Sequence, residues 1–571
     1  MHNINMKQEN DEKKELYDLL DFTDAKKHMI LNNLINSQTL FEPIDISNDV
    51  YKDTIIDKWC ESLPSLEGSK ILINNLIRCP INDINMLQKR QKCYFKENID
   101  FEILKQYEND VLWIYKLNDE IKQNNLIHVL FPSTFIISYM NYIEPILESY
   151  HIYKIYLIPL SIIIYPILSL FAPLYYLNKY LGFSISFTTY VSILLKIVKY
   201  MFTYSGNIKT TLLKIISICT YIFLFAYNIY QTTEYSYMLY DVKNTLYKRI
   251  CNLNVFIKEA AKIIETLPND ITKPFVKLYR NVHNDLQSID LNNKFSNIYR
   301  IWKENSLKEK LSNILVNIYI IDIINSISKQ IYRNKDWCVV SYDNSCTKFW
   351  NMKNPILSKE QTANPVSLSK NIVITGPNAA GKTTYVKSIL SNIILAQTFG
   401  IAYAIKGQVI VYDTIASFMR ISDILGSKSY FEVEAEYCLK MMQNAQDLSK
   451  NHRKGLFLMD EPMHSTPPTE GMATAYAVAE YIGKLQGITI ILTTHFHKLI
   501  QLETKYVDKF INLSVEAIPK KNGGFDFPYK IKKGYSYQCI AIELLSSKEF
   551  PKSVIDSAIN MKNKICAEIS R

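Results

Sequence analysis

The stretch that decides the fold of the C-terminal part of the chain spans residues 371–390 and reads NIVITGPNAAGKTTYVKSIL. Its apolar run 372–375 has the length of a short buried strand, and the residues after the lysine follow a helical pattern. Between them, residues 376–383 have the spacing G-x-x-x-x-G-K-T, in the strand–loop–helix context that a phosphate-binding loop requires. The sequence therefore predicts a P-loop that binds a nucleotide.

The loop also predicts which groups hold the phosphates. Gly376 and Gly381 let the backbone wrap tightly, so N–H groups point at phosphate oxygens, and the following helix adds the positive end of its dipole. Lys382 places an ammonium on the β- and γ-phosphates, and the Thr383 hydroxyl is a ligand for Mg²⁺. We therefore expect ATP and Mg²⁺ as cofactors. The predicted nucleotide-binding residues are Gly376, Pro377, Asn378, Ala379, Ala380, Gly381, Lys382, Thr383 and Thr384.

A second motif, GLFLMDEP, spans residues 455–462. The apolar run 456–459 predicts a strand that ends in Asp460 and Glu461. An acid at the carboxyl end of a neighbouring strand can reach the metal shell, so Asp460 is a predicted metal ligand beside Thr383. Glu461 is then placed to orient and polarise the attacking water. An Asp-Glu pair alone is more often a solvated turn; its position after a strand downstream of a P-loop favours catalysis.

A third motif, ITIILTTHFHKL, spans residues 488–499. Its run 488–492 predicts another buried strand, and His495 follows at its end. A lone histidine at a strand end is usually structural, but in this series His495 is predicted to sense the γ-phosphate through a hydrogen bond. His497 is assigned to the surface.

Composition sets wider limits. The 571 residues carry a formal net charge of +10, and 48% of them are hydrophobic. This length suggests three or four domains, and the scarcity of Gly and Pro predicts a mostly helical chain. The charge permits an anionic partner such as nucleic acid or a membrane surface, although a scattered basic surface explains it equally well. The ten cysteines form no zinc-type cluster, and the charged N-terminus has no signal-peptide core, so we expect an intracellular protein.

Two long runs without charge interrupt the middle of the chain, at residues 155–178 and 215–233. Each has about the 20 residues that a membrane-spanning helix needs. Pro159, Pro166 and Pro173 lie in the first run, where a membrane helix tolerates them better than a soluble one. We expect a membrane hairpin, with the polar run 180–195 dipping into the interface; the alternative is a pair of helices buried in a large core.

The charges beside this hairpin conflict with its simplest topology. The positive-inside rule would keep a lysine-rich loop cytosolic. Two spans would, however, place both flanks, including the cytosolic nucleotide-binding domain, on the side opposite that loop. Either the segment does not fully cross, or the folding of the flanking domains overrides the charge bias. The loop lysines are Lys179, Lys196, Lys199, Lys209 and Lys214.

The coarse pattern predicts an α/β P-loop ATPase domain at the C-terminus, preceded by a mostly α-helical lever region. The expected location is intracellular and membrane-associated, with the ATPase domain on the cytosolic side. The predicted segments are a polar arm (1–50), the first part of the lever (51–150), the membrane hairpin (151–233), the second part of the lever (234–336) and the ATPase domain (337–571).

These motifs, in this order, resemble the ATPase domain of the MutS mismatch-repair family from about residue 355 to the C-terminus. The matching stretches include NPVSLSKNIVITGPNAAGKTTYVKSI, KSYFEVEAEY and LFLMDEPMHSTPPTEG. The resemblance implies an ABC-like ATPase that works as a homodimer, in which Ser429 would reach the γ-phosphate of the partner's nucleotide. Phe431 and Glu434 match the neighbouring pattern, and residues 551–565 resemble the closing helical segment. Upstream, Arg90 and Gln91 match an Arg-Gln pair at the start of the family's lever.

Several departures limit what the resemblance implies. The chain has no room for the mismatch-reading N-terminal domain, and no Phe-x-Glu wedge occurs in the first 60 residues. Gln361 stands where the family stacks an aromatic ring on adenine. Pro467 and Pro468 stand where small hydroxyl residues are usual, and Gln538 replaces a usual Gly. These differences argue against mismatch recognition but leave ATP binding intact.

Three functions remain open at this stage. The first is a membrane-tethered MutS-like ATPase that binds or remodels DNA and acts as a nucleotide-gated dimer. The second is a non-hydrolysing scaffold that nucleotide switches between two states. The third is an ABC-type ATPase that remodels a membrane complex without DNA.

Overall fold

The structure, a computed structural model, describes residues 22–36, 41–120, 130–132, 138–201, 203, 208–277, 279–289, 292–343, 345–358, 360–419, 430–520, 524–538, 540–548 and 550–569. By internal contacts the chain divides into two units. The first, helical unit comprises residues 1–33, 103–262 and 282–314. The second unit comprises residues 34–102, 263–281 and 315–571 and contains the described strands. The segment 51–150, predicted as one part of a lever, is therefore divided between the units.

Helices dominate the described chain up to residue 333. A capping hydrogen bond starts the helix Ile84–Gln91, where the Asp83 side chain accepts the N–H of Met86. The helices are α1 (Asp24–Asn36), α2 (Asn48–Thr54), α3 (Ile56–Glu61), α4 (Glu67–Ile77), α5 (Ile84–Gln91), α6 (Glu102–Glu120), α7 (Glu144–Ile152), α8 (Ile158–Tyr180), α9 (Phe187–Met201), α10 (Ile208–Glu265), α11 (Val282–Ser288), α12 (Ser296–Lys303) and α13 (Asn305–Arg333).

Two apolar helical stretches expose most of their surface. The stretch Glu144–Tyr180, which joins α7 and α8 through a π-helical turn, and α10 are both long and apolar enough to cross a membrane. Only 6% and 0% of their most apolar windows are buried, so the alternative of two buried core helices is wrong. Helix α13 is also long and apolar enough, but 89% of its window is buried, which makes it a core helix.

Helix α10 is longer than the sequence pattern suggested. It runs for 58 residues and joins the predicted second span to the amphipathic helix that follows it. No Gly or Pro interrupts the chain between Ile208 and Pro268, so nothing in the backbone stops the helix at the predicted boundary near residue 233. After that boundary its apolar side chains, such as Val242 and Leu253, become buried.

The second unit is built on a mainly parallel seven-stranded sheet with the order β1-β9-β10-β11-β6-β12-β15. Only the β12–β15 pair is antiparallel. The strands are β1 (Asp45–Ile46), β2 (Cys338–Val339), β3 (Ser341–Tyr342), β4 (Lys348–Met352), β5 (Asn364–Ser367), β6 (Asn371–Thr375), β7 (Ile401–Ala402), β8 (Lys406–Val409), β9 (Thr414–Phe418), β10 (Gly455–Asp460), β11 (Ile488–Thr493), β12 (Phe510–Val515), β13 (Ile518–Pro519), β14 (Phe525–Asp526) and β15 (Ile531–Lys533). The accompanying helices are α14 (Lys382–Phe399), α15 (Tyr430–Lys450), α16 (Pro468–Lys484), α17 (Gln501–Lys505), α18 (Ala541–Ser547) and α19 (Lys552–Ile569).

The described part of the expected polar arm is ordered structure. Within residues 1–50, β1 pairs in parallel with β9 at the edge of the large sheet, and α2 begins directly after it. Strand β1 could not be predicted from the sequence pattern, because it is only two residues long and its pairing depends on a partner far along the chain. The three strands predicted from the motifs, β6, β10 and β11, are confirmed.

Arg90 and Gln91 hold the C-terminal end of α14. The fully buried Arg90 guanidinium donates to the carbonyl oxygens of Thr398, at 2.5 Å, and Pro274, at 2.9 Å. Gln91 Nε2 donates to the carbonyl oxygen of Gly400 at 2.9 Å. The last carbonyls of a helix lack intrahelical donors and carry the negative end of its dipole, so a cation there is stabilising. The pair thus fixes the helix whose other end is the P-loop.

Replacing Arg90 with Ala should lower the free energy of unfolding of the second unit by about 2–4 kcal/mol, because two buried carbonyls lose their donor. Urea unfolding of the full chain measures this. Arg90→Lys should restore only part of the lost free energy of unfolding, since an ammonium cannot reproduce the two-pronged geometry of the guanidinium group. Lys89→Ala, on the exposed side of α5, is the control; equal midpoints for Arg90→Ala and Lys89→Ala would contradict the assignment.

Candidate nucleotide site

The sheet order brings the three motifs to one edge. Strand β11 lies between β6 and β10, and all three are parallel, so the residues that follow them meet at the same end of the sheet. In this register Asp460 pairs with Thr493, and Thr493 pairs with Ile374, one residue short of the end of β6. The P-loop, the Asp-Glu pair and His495 therefore surround one site.

The backbone of the P-loop needs its glycines. Gly376 has a φ of 145°, and a Cβ there would lie 2.4 Å from the carbonyl oxygen of Val515. Gly381 has a φ of 97° and directly precedes α14, while Ala379 adopts a φ of 66°. These conformations turn the loop around the start of the helix, the geometry that points backbone N–H groups at an anion. In the same loop Pro377 and Ala380 are buried, Asn378 and Ala379 are exposed, and Thr384 is exposed on the first turn of α14.

Lys382 lies inside the loop. Its side chain is buried, and Nζ donates to the carbonyl oxygens of Gly376, at 2.9 Å, and Pro377, at 3.3 Å. The same nitrogen lies 3.2 Å from His495 Nε2 and 3.8 Å from Glu461 Oε1. Its ammonium is thus held inside the loop, where Lys382 was predicted to lie.

Two threonine hydroxyls converge on Asp460. Thr383 Oγ1 donates to the Asp460 carboxylate, at 2.9 Å from Oδ2 and 3.1 Å from Oδ1, and Thr493 Oγ1 donates to Oδ1. A hydroxyl beside a carboxylate is an oxygen donor set of the kind that Mg²⁺ takes together with waters and phosphate oxygens. Thr383 and Asp460 therefore fit the predicted metal site.

Glu461 faces the same place from a strained backbone. It has a φ of 52°, unusual for a residue with a side chain, and its N–H donates to the carbonyl oxygen of Thr493 at 3.0 Å. His495 Nε2 lies 2.8 Å from Glu461 Oε1 and 2.7 Å from Asn378 Oδ1. The hydrogen bond with His495, reinforced by the charge of Lys382, lowers the pKa of Glu461 to about 2. The carboxylate is therefore ionised and aimed at the loop.

A cavity of about 950 Å³ opens in front of the P-loop, Asp460 and Glu461. The predicted adenine-side residue, Gln361, lines it, but its side chain is tied to the backbone of Asn354: Oε1 accepts from N at 2.6 Å and Nε2 donates to O at 2.8 Å. The exposed ring of Tyr529 also lines the cavity and lies over Gly381. The structure thus provides an aromatic wall, from a residue that the motif comparison did not select.

Glu434 is a second residue whose place the motifs did not define. It is buried and accepts hydrogen bonds from the backbone N–H of His464, at 3.2 Å, from that of Ser465, at 3.3 Å, and from the Ser465 hydroxyl. It therefore ties α15 to the loop that follows Glu461. Ser429, predicted to act on the partner's nucleotide, lies outside the described residues.

Two of the departures from the family pattern have physical explanations. Pro467 and Pro468 stand at the start of α16, and Pro468 is its first residue, where the missing N–H costs no hydrogen bond. The side chain of Gln538 accepts from the N–H of Ala517, at 2.8 Å, and donates to its carbonyl oxygen, at 2.7 Å. These changes stabilise local structure and leave the phosphate-binding groups in place.

Comparison with known proteins agrees with this geometry. The family model for MutS domain V matches residues 372–566, from the P-loop strand to the C-terminal helix. Over this region the chain is a divergent relative of the MutS family. A DNA mismatch repair protein MutS from Finegoldia magna is 29% identical over 283 residues, which are 48% of this chain and 32% of that protein. One from Streptococcus pyogenes serotype M49 is 32% identical over 189 residues, 33% of this chain and 21% of that protein.

The chain thus spans about a third or less of the length of these relatives. The match includes the region of the P-loop, the Asp-Glu pair and His495, and the C-terminal domain of this protein has the P-loop fold. Mismatch repair in the relatives is therefore a property of much longer proteins.

Replacing His495 with Ala should change the acid response of the site. The ordinary pKa of Glu461 is 4.5 and its folded value is about 2, so the contact adds stability that is fully present above pH 4.5 and lost as pH falls through 2. Wild type should therefore be more stable than His495→Ala near neutral pH, and the difference should shrink across that window.

Thermal unfolding at several pH values checks this. His497→Ala, two residues away on the exposed side, is the matched control. Its difference in stability from wild type should not shrink between pH 4.5 and 2. A constant difference between wild type and His495→Ala over the whole range would contradict the proposed contact.

Proposed function

We propose that the chain hydrolyses ATP at this site. The observation that carries the proposal is the convergence of Lys382, Thr383, Asp460 and Glu461 on one cavity, with Glu461 ionised. Bound Mg²⁺ would supply charge neutralisation at the β- and γ-phosphate oxygens. Lys382 and the loop amides bind the phosphates, and Thr383 and Asp460 hold the metal.

Glu461 is the group that orients and polarises the attacking water. His495 contacts its carboxylate, and the carbonyl oxygen of Thr493 accepts a hydrogen bond from its backbone N–H. Asn378 completes the hydrogen bonds around the imidazole. An ionised, positioned carboxylate suits orienting and polarising the attacking water, since it can accept a hydrogen bond from that water.

The acting form that we propose is a homodimer whose sites close on nucleotide. Family resemblance supports Ser429 as the residue that reaches the partner's γ-phosphate. Tyr430 and Phe431, which follow it at the start of α15, have 44% and 43% of their surface exposed, as residues near an intermolecular contact would. Glu434 then connects this segment to the loop after Glu461.

We further propose that the exposed apolar stretches tether the protein to an intracellular membrane, with the ATPase on the cytosolic side. Lipid would cover side chains such as Leu168 and Phe223, which are 61% and 68% exposed. DNA is the proposed partner of the ATPase, on the strength of the named relatives and the net charge of +10. If DNA proves not to bind, the exposed helices favour remodelling of a membrane complex instead.

Glu461→Gln tests hydrolysis directly. We expect ATP to bind with unchanged affinity and the steady-state rate of phosphate release to fall about 10²–10⁴-fold, because the amide lacks the negative charge that orients and polarises the water. Glu470→Gln, on the exposed first turn of α16, should turn over like wild type. Equal rates for all three proteins would overturn the catalytic assignment. Binding without turnover in wild type would favour the nucleotide-switched scaffold.

Washing membranes from expressing cells with alkaline carbonate tests the tether. Carbonate strips peripheral proteins but leaves integral ones, so the chain should stay in the pellet and leave it only with detergent. A variant in which Leu168, Leu170, Phe223 and Leu224 are all changed to Ser should shift to the supernatant. Release of wild type by carbonate alone would contradict membrane insertion.

A further inference from the structure

The tip of the apolar hairpin carries one sign of charge. Between Glu148 and Glu234 the chain contains no Asp or Glu. Five lysines fall near the turn of the hairpin, at the end of α8, on α9 and in the first turns of α10. We call this set the tip lysines: Lys179, Lys196, Lys199, Lys209 and Lys214.

Helix α9 bridges the two apolar stretches. At its start, the rings of Phe171 and Phe187 stack with centroids 5.5 Å apart, and Tyr190 Oη donates to the carbonyl oxygen of Leu170 at 2.7 Å. At its end, Lys214 Nζ of α10 lies 5.5 Å from the ring centroid of Tyr200. With 15 residues, α9 is about 22 Å long, too short to span a bilayer core of about 30 Å. It is therefore suited to lie across the tip.

The tip lies about 30 Å, the thickness of a bilayer's hydrocarbon core, from the other end of the apolar helices. At 1.5 Å per residue, Tyr156 and Tyr176 are about 30 Å apart along their helical stretch, and so are Lys214 and Glu234 along α10. Tyrosine and charged residues thus bracket an apolar band of membrane thickness on both helices. Such residues concentrate at the two membrane–water interfaces.

Aromatic rings flank the lysines at the far end of the band. Lys179 Nζ donates to Tyr175 Oη at 2.5 Å and lies 5.0 Å from the centroid of that ring. A lysine with an aromatic neighbour at the end of an apolar helix sits in the headgroup layer, with its stem in the apolar region and its ammonium in water. Because the chain has no Asp or Glu between Glu148 and Glu234, no carboxylate of this segment can neutralise the tip lysines.

We infer that the tip lysines bind the anionic headgroups of phospholipids in the leaflet farther from Glu148 and Glu234. The inference rests on the proposed membrane insertion and adds a ligand class to it. Anionic lipid fits because its phosphate and carboxylate groups lie in the layer that α9 would occupy.

The test uses the full chain reconstituted in nanodiscs that contain phosphatidylcholine with one fifth phosphatidylserine. Lipids retained after mild detergent stripping are counted by native mass spectrometry. We expect phosphatidylserine to be enriched, and the enrichment to fall more than about tenfold in Lys196→Gln/Lys199→Gln, since each lysine contributes about fivefold. Lys248→Gln/Lys258→Gln, exposed on the part of α10 beyond the apolar band, is the control and should match wild type.

Four results would overturn the inference. Equal retention of both lipids by wild type would remove the ligand, while resistance to carbonate would leave the membrane tether standing. Unchanged enrichment in Lys196→Gln/Lys199→Gln would assign it to other residues. Loss of duplex DNA binding by that variant in detergent, with lipid enrichment intact, would reassign the lysines to nucleic acid. Release of wild type by carbonate would remove the tether and this inference together.

Discussion

The site depends on the hydrogen bonds that Thr493 makes at the end of β11. Its hydroxyl donates to Asp460, and its carbonyl oxygen accepts the N–H of Glu461. One residue thereby fixes both acids of the neighbouring strand relative to each other and relative to the P-loop, because β11 also pairs with β6. The left-handed backbone of Glu461 persists because these bonds hold it. Without this arrangement the Asp-Glu pair would be an ordinary surface turn.

The same constraint extends outward along α14. The helix begins at the phosphate-binding loop and ends at carbonyl oxygens that accept hydrogen bonds from Arg90 and Gln91. A rigid helix held at both ends connects the nucleotide to residues nearly three hundred positions earlier in the chain. Glu434 provides another such link, from α15 to the loop behind Glu461. Movement of either helix would therefore affect the position of the Glu461 carboxylate.

The sequence predicted what is encoded locally. The strand–loop–helix pattern of residues 371–390 and the apolar strands before Asp460 and His495 are contiguous, so their order alone placed the main site residues. Tyr529 and strand β1 could not be found in this way, and for Glu434 the resemblance indicated the position but not its contacts. Each reaches its place through a tertiary contact: Tyr529 through a turn far from the P-loop in sequence, Glu434 through the loop after β10, and β1 through pairing with β9.

For the apolar segments, composition located the features but did not decide their environment. Composition identified residues 155–178 and 215–233 but could not decide between a buried pair and a membrane hairpin. Burial in the folded chain excludes the first, since neither stretch is covered by protein. Composition also missed that α10 continues without interruption, because a change from apolar to amphipathic pattern does not break a helix that lacks Gly and Pro. Helix α13 is also long and apolar enough to cross a membrane but is packed in the core, which shows why exposure has to be considered beside composition.

The central claim is that Thr383 and Asp460 hold one metal ion on a nucleotide gripped by the P-loop. Calorimetric titration of ATP, with and without Mg²⁺, into wild type and Thr383→Val tests it most directly. We expect Mg²⁺ to tighten ATP binding to wild type by about tenfold or more, because loss of one group that supports a metal typically costs at least that much in affinity. In Thr383→Val, Mg²⁺ should add little to the affinity for ATP. An equal gain from Mg²⁺ in both proteins would contradict the account.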